Sequence, residues 1–311
     1  MPKTTINFRW GYCYILLCCL SNAISFVFIE HLNKSHNEML SIFLTFGYAI
    51  VIFNIINYKK ITGLYQSAAR NIKVLLQMNF FTLFNWLSTF MALRYLDPAT
   101  TICIILAVLS VTIFFISTPL HQLKTNKHLG FAVLLVLATM VFIIKQYINA
   151  SVQTHIQNVL FGVFWCLVGG VTGAFIGLCS EAMGKAGFSI TQILATRFYF
   201  LTIMSGLALF FVPHAIGDIV MSWKYYFLAS LVIVFFPLIM YQAAIRELGT
   251  LIVSLLEPFT PIATYVLQVI TGDYHFNLPI IITLIVACTA MMWFMRIEQR
   301  VKLEKNADLS Y

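Results

Sequence analysis

Ten stretches of the chain, residues 10–30, 39–57, 72–93, 99–120, 129–147, 159–182, 190–212, 225–244, 251–271 and 278–296, run 19 to 24 residues each and are almost wholly apolar. As α-helices, segments of this length cross the roughly 30 Å of hydrocarbon in a bilayer. In lipid the backbone has no water to bond, so a helix that satisfies its own peptide groups is the solution open to them. With 60% of the residues hydrophobic and 10% charged, little remains from which to build a soluble domain. The sequence therefore predicts an all-α membrane protein of ten transmembrane helices.

The ten spans divide into two fives, and the sequence repeats at that division. At an offset of 151, Gly11 falls on Gly162, Ala23 on Ala174, Glu30 on Glu181 and Lys34 on Lys185. At an offset of 152, Ala92-Leu93-Arg94-Tyr95-Leu96 falls on Ala244-Ile245-Arg246-Glu247-Leu248. Halves of nearly equal length point to a duplication. An odd number of spans in each half sets the second copy upside down, an arrangement that in transporters places the binding site between the copies near the bilayer midplane. The expected division is a first five-helix repeat over 1–150, a second, inverted five-helix repeat over 151–297, and a short charged cytoplasmic tail over 298–311.

The net charge of +8 reports topology. With the amino terminus inside, fifteen of the 19 Lys and Arg fall on the cytoplasmic side, and Lys34, Arg94, Lys145 and Lys224 fall outside. That asymmetry over short loops predicts both termini in the cytoplasm and calls for no nucleic-acid partner. The opening apolar run after Lys3 and Arg9 is too long for a typical signal peptide and pairs with the sixth span, so it is read as retained. The seven cysteines lie within spans without a CxxC pair, and the seven histidines fall in loops or at span ends. Buried thiols are the expected state, and no metal, cofactor or disulfide framework is called for.

Polar and conformationally special residues inside the spans are the candidates for function. In the sixth span Gly169, Gly173 and Gly177 stand four apart, a small-residue face that lets a neighbouring helix approach, expected to be the first helix with its Asn22. The ninth span carries Glu257 between Leu256 and Pro258, with Pro261 a turn further on. Each proline removes a donor and frees a carbonyl. An acid at that depth is either a functional group, such as a proton carrier, or a paired or protonated residue that stabilises the kink. Asn85, Arg197, Tyr199, Tyr241 and Gln242 add polar groups, and Trp86 and Trp165 add aromatic ones, as candidate substrate contacts. Asn85 and Pro237 stand at equivalent points of the two halves, so both disturb the same helix. Arg197 sits about two turns inside its span, placed to snorkel to lipid phosphates or to pair with an anionic group.

Ser21-Asn22 in the first span, Ala92-Leu93-Arg94-Tyr95-Leu96-Asp97-Pro98-Ala99 leading into the fourth and Leu256-Glu257-Pro258 in the ninth together resemble the EamA branch of the drug/metabolite transporter superfamily. The resemblance covers nearly the whole chain. It implies EamA-like repeats, a central cavity, and a bacterial inner-membrane carrier, often an exporter of amino acids or related metabolites. The arginine that many members carry in the second helix is Phe46 here, and its counterpart in the seventh is Arg197. Without a GxxxxGK[ST] loop the energy must come from a gradient. The expected function is secondary transport, as an exporter, of a small amphipathic metabolite by alternating access. The partners are that substrate, membrane lipids and candidate coupling protons, and the expected state is a monomer. A membrane-embedded enzyme acting on lipid or peptide is the alternative, though the spans hold no GxSxG or HExxH.

Overall fold

The computed structural model describes residues 8–117, 127–150, 156–211 and 215–308, and all regular structure within them is helical. The first half contains α1 (Phe8–Ser35), α2 (Glu38–Ile56), a 3-10 turn (Tyr58–Lys60), α3 (Ile61–Arg70), α4 (Ile72–Ala92), α5 (Pro98–Ser117) and α6 (Lys127–Ala150). The second contains α7 (Ile156–Lys185), α8 (Ile190–Thr196), α9 (Tyr199–Ala208), α10 (Ala215–Ser230), a π turn (Leu231–Phe235), α11 (Phe236–Leu256), a 3-10 turn (Glu257–Phe259), α12 (Thr260–Ile270) and α13 (Leu278–Asp308). Among the described residues, seven helical segments are long and apolar enough to cross a membrane: Trp10–Ser35, Glu38–Ile56, Pro98–Ile116, Ile156–Lys185, Ile190–Phe211, Trp223–Ala244 and Leu278–Ile297. The other three apolar stretches of the sequence also carry helices, α4, α6 and α12. Gln77, Asn79 and Asn85 dilute the first of these, and the 3-10 turn shortens the last. Lys3, Lys124 and Tyr311, which contribute to the topology reading, lie outside the described residues.

Apolar side chains occupy both sides of these helices. Leu16, Leu20, Phe131, Val141, Phe161 and Leu207 are exposed, while Phe46, Phe53, Phe90, Phe114 and Phe198 are fully buried. A helix that is apolar all round belongs in lipid or in a core, and here each helix meets both.

The most extensive contacts join α4 to α7 and α1 to α11. Glycine makes both possible by removing a side chain at the crossing. A Cβ at Gly11 would stand 2.5 Å from Leu248 and 3.1 Å from Glu247; one at Gly162 would stand 2.7 Å from Leu96 and 3.0 Å from Tyr95. These are the same pairs that the sequence offsets relate. Each half thus sends its first helix against the end of the third helix of the other.

Helical geometry continues from Phe236 to Leu256, yet the chain reverses within that stretch. Cys18 Sγ reaches the Pro237 carbonyl and Cys19 Sγ the Leu256 carbonyl, each at 3.7 Å. A straight helix would hold those carbonyls about 28 Å apart, too far for two adjacent residues to touch both. The chain therefore runs down α1 past Leu248, turns, and climbs back so that α12 lies along α1 as well.

The glycine face of α7 meets different neighbours from those expected. Gly169 faces Ser88, Gly170 faces Val108 and the Ile105 carbonyl, and Gly173 faces Leu109 and Asn85, so this face packs on α4 and α5. Asn22 on α1 is not its partner. Gly177 has open space around it and makes no close crossing.

Candidate functional site

Three helices of the second half depart from regular α geometry. The seventh span breaks at Arg197–Phe198 between α8 and α9, the eighth widens into the π turn at Leu231–Phe235, and the ninth tightens into a 3-10 turn at Glu257–Phe259. Each departure frees backbone groups that lipid cannot satisfy, and a neighbouring side chain answers where water cannot. At the first break Asn79 of α4 spans the gap: its Nδ2 donates to the Thr196 carbonyl at 2.9 Å and its Oδ1 accepts from the Phe200 amide at 3.3 Å. At the π turn Pro237 has no N–H to return to the preceding turn. The Val232 carbonyl instead lies 2.8 Å from Ser25 Oγ of α1, whose one proton it shares with the Ser21 carbonyl at 2.7 Å. At the 3-10 turn the Thr260 amide closes on the Glu257 carbonyl, and Pro261 sits in the first turn of α12, where a missing donor costs least.

Side chains from the three departures converge. Tyr241, one turn beyond Pro237, lies within electrostatic range of Glu257, Cys18 and Arg197. Arg197 is 6% exposed, its Nε has no hydrogen-bond partner, and its guanidinium lies 5.1 Å from the centre of the Phe198 ring. So enclosed a side chain favours pairing with an anionic group over reaching out to lipid phosphates. Glu257 lies deep in the protein but keeps partial accessibility, and no hydrogen bond or ion pair engages it among the described residues. A cation and an acid thus share one interior region without touching.

An uncompensated buried guanidinium costs several kcal/mol and can only donate, so it calls for an anionic or carbonyl acceptor. A second unsatisfied donor lies close by. Phe46 packs on Phe198 at 5.2 Å and on Trp86 at 4.8 Å, and the buried Trp86 Nε1 has no partner. Indole is also a donor only.

Residues 9–145 match the model of the EamA-like transporter family. The match covers 137 of the 311 residues, the first half of the fold. The family is one of transporters, and the apolar helices described above fit a multi-pass membrane protein. A solved crystal structure superposes on 94% of this chain and 97% of its own with a TM-score of 0.59 at 15% sequence identity, so the two share a fold. No curated protein matches the chain.

The remaining candidates of this EamA-like chain are divided: Asn22, Gln242 and the prolines border the Arg197–Tyr241–Glu257 region, and the others serve contacts elsewhere. Asn85 Nδ2 donates to the Gly169 carbonyl at 2.9 Å and so ties α4 to α7. Tyr199 points its hydroxyl toward Asn54 of α2, which donates to it at 3.2 Å, and toward Tyr65 of α3. Trp165 packs against Phe161 and Phe164 of its own helix, and its Nε1 is buried without a partner. Asn22 is half-buried and donates weakly to Cys18 Sγ at 3.5 Å. Gln242 is half-buried beside Tyr241. Pro237, Pro258 and Pro261 are buried at the two later departures. The sequence reading missed Asn79 and Ser25 as partners of the breaks, and α3 altogether.

Besides the bonds of Asn79, Ser25 and Asn85, polar contacts between the halves stand in two further clusters. At one end, Tyr274 donates to Glu30 at 3.0 Å, His31 lies 3.3 Å from Asp273, and the Ala99 amide donates to Gln268 Oε1 at 3.1 Å. At the other, Asn57 and Thr191 exchange two hydrogen bonds of 3.1 Å beside the Asn54–Tyr65–Tyr199 cluster.

Proposed function

We propose that this EamA-like protein is a ten-span secondary transporter of a bacterial inner membrane, an exporter in which two inverted five-helix halves rock around a central site. The observation that carries the reading is Arg197, a buried cation without an ion pair among the described residues, in electrostatic range of the same Tyr241 as an unengaged Glu257. A small amphipathic zwitterion suits this pair, its carboxylate accepting from Arg197 and Trp86 and its ammonium turned toward Glu257. The direction of transport comes from the family resemblance.

The paired glycine crossings support the inverted repeat, and so do the Lys34–Glu30 and Lys185–Glu181 ion pairs, 2.9 and 2.7 Å, at equivalent sequence positions. The charge distribution supports cytoplasmic termini. Alternating access would open the contacts at either end of the molecule while those at the opposite end hold. A single hydrogen bond contributes about 1 kcal/mol net, so opening either end costs a few kcal/mol. Differences of that size leave a minor state populated and let a ligand shift the balance.

Purified protein in liposomes, supplied with a metabolite panel and an imposed proton gradient, tests the reading. Gradient-driven movement of a zwitterion is expected, with Glu257→Gln losing the driven component while keeping exchange between equilibrated compartments. Movement of no compound in the panel would count against transport of this class, and unchanged driven transport in Glu257→Gln would return that residue to a structural role.

A further inference from the structure

Residues 57–73 contain Lys59, Lys60, Arg70 and Lys73 and no acidic residue. All four basic side chains are exposed, and none forms an ion pair among the described residues. Between them, α3 is amphipathic. Leu64 and Ala68 are buried, Ile61 and Tyr65 on the same side remain 38% and 40% exposed, and Thr62, Gln66 and Arg70 take the opposite side. A short helix with a half-open apolar edge and basic flanks fits the boundary between headgroups and acyl chains.

A positive-inside bias accounts for basic residues in a loop. It does not account for a loop folded as an interfacial helix and tied to a transmembrane break. Tyr65 Oη donates to Asn54 Oδ1 at 2.7 Å and meets the Tyr199 hydroxyl, two residues beyond Arg197. Burial first, and then the Tyr199 hydroxyl, raise the Tyr65 phenol above its ordinary range. The Tyr65 hydroxyl therefore keeps its proton across physiological pH.

We propose that α3 and its flanking turn form a docking surface for anionic lipid headgroups, and that a docked lipid holds Tyr65 on Tyr199 and so steadies this end of the molecule. Lys59 and Lys60 enter from one end of the helix and Arg70 and Lys73 from the other, while Ile61 and Tyr65 meet the acyl chains. Lipid docking stands on these residues alone; the effect on the end contacts rests on the transporter reading above.

Full-length protein in phosphatidylcholine bilayers, probed with spin-labelled phosphatidylglycerol and spin-labelled phosphatidylcholine, measures the docking directly. The wild type should prefer the anionic probe by at least about three-fold, a modest demand given the attraction each basic residue exerts near a charged surface. The Lys59→Gln/Lys60→Gln/Arg70→Gln/Lys73→Gln variant should fall to near parity. Should that variant fail to fold, Lys59→Gln/Lys60→Gln and Arg70→Gln/Lys73→Gln are each expected to show a reduced preference. Preference undiminished in the substituted proteins, or abolished in the wild type by millimolar inorganic phosphate, would overturn lipid docking. To test the steadying effect, phosphatidylglycerol should slow amide exchange over residues 190–200 in the wild type and not in Tyr65→Phe, which loses the hydroxyl that meets Tyr199. Equal slowing in both would overturn the link while leaving the docking site and the transport reading to their own tests.

Discussion

The helices α2, α4 and α5 of the first half run unbroken, whereas their counterparts in the second half are broken at Arg197–Phe198, widened at Leu231–Phe235 and tightened at Glu257–Phe259. The contrast is sharpest at one pair of positions. Phe46, fully buried, packs on Trp86 and Phe198; Arg197, its equivalent at the 151 offset, is also buried and has no ion pair among the described residues. A regular helix consumes its own peptide groups and asks its neighbours for apolar contact only. A broken one borrows polar side chains, and the lenders here are Asn79 and Ser25 of the first half. The first half therefore acts as scaffold for the departures of the second.

Moving the charge to the scaffold side should break the molecule. Phe46→Arg removes a ring contact and buries a second uncompensated guanidinium near the first, costing on the order of 3–5 kcal/mol. The expected outcome is loss of a monodisperse peak in detergent. A stable Phe46→Arg protein would mean that the two halves are more alike in environment than described.

The glycine face of α7 offers a graded test of the scaffold. Gly170→Ala places a Cβ 2.5 Å from Val108 and 2.8 Å from the Ile105 carbonyl, and backbone cannot yield as a side chain does. A loss of about 1–3 kcal/mol is expected in thermal unfolding. Ser25→Ala leaves the Val232 carbonyl without its donor and should cost about 1–2 kcal/mol, with exchange increasing locally in the π turn. Gly177→Ala meets nothing within 4 Å and, as a helix-favouring change, should be neutral or slightly stabilising, within roughly 1 kcal/mol. A comparable loss at Gly177 and Gly170 would show that the crossing is not where the stability lies.

Much of this architecture is legible in the sequence because lipid enforces it. Segment length and apolarity mark helices that span, and Pro258 with Pro261 announces the departure in the ninth. The break at Arg197 is not legible: neither glycine nor proline stands there, and its support comes from Asn79, distant in sequence and recognisable only once α4 lies alongside. Pro237 hints at a disturbance in the eighth span, but which carbonyl is freed and that Ser25 answers it depend on packing. The spacing of Gly169, Gly173 and Gly177 announces a close approach without saying by which helix. The amphipathic period of α3 is too short to stand out between two apolar spans, and its basic flanks have a sufficient explanation in topology.

The measurement closest to the central claim is ligand-induced thermal stabilisation of the purified wild type and of Arg197→Leu over a panel of carboxylates, amines and zwitterions. Removing an unpaired buried charge should leave the unliganded variant at least as stable as the wild type. The account predicts that carboxylate-bearing compounds stabilise the wild type and that Arg197→Leu loses this response, with affinity lower by on the order of 100-fold. The same compounds stabilising both proteins equally would contradict it, and would place ligand recognition away from the broken helices of the second half.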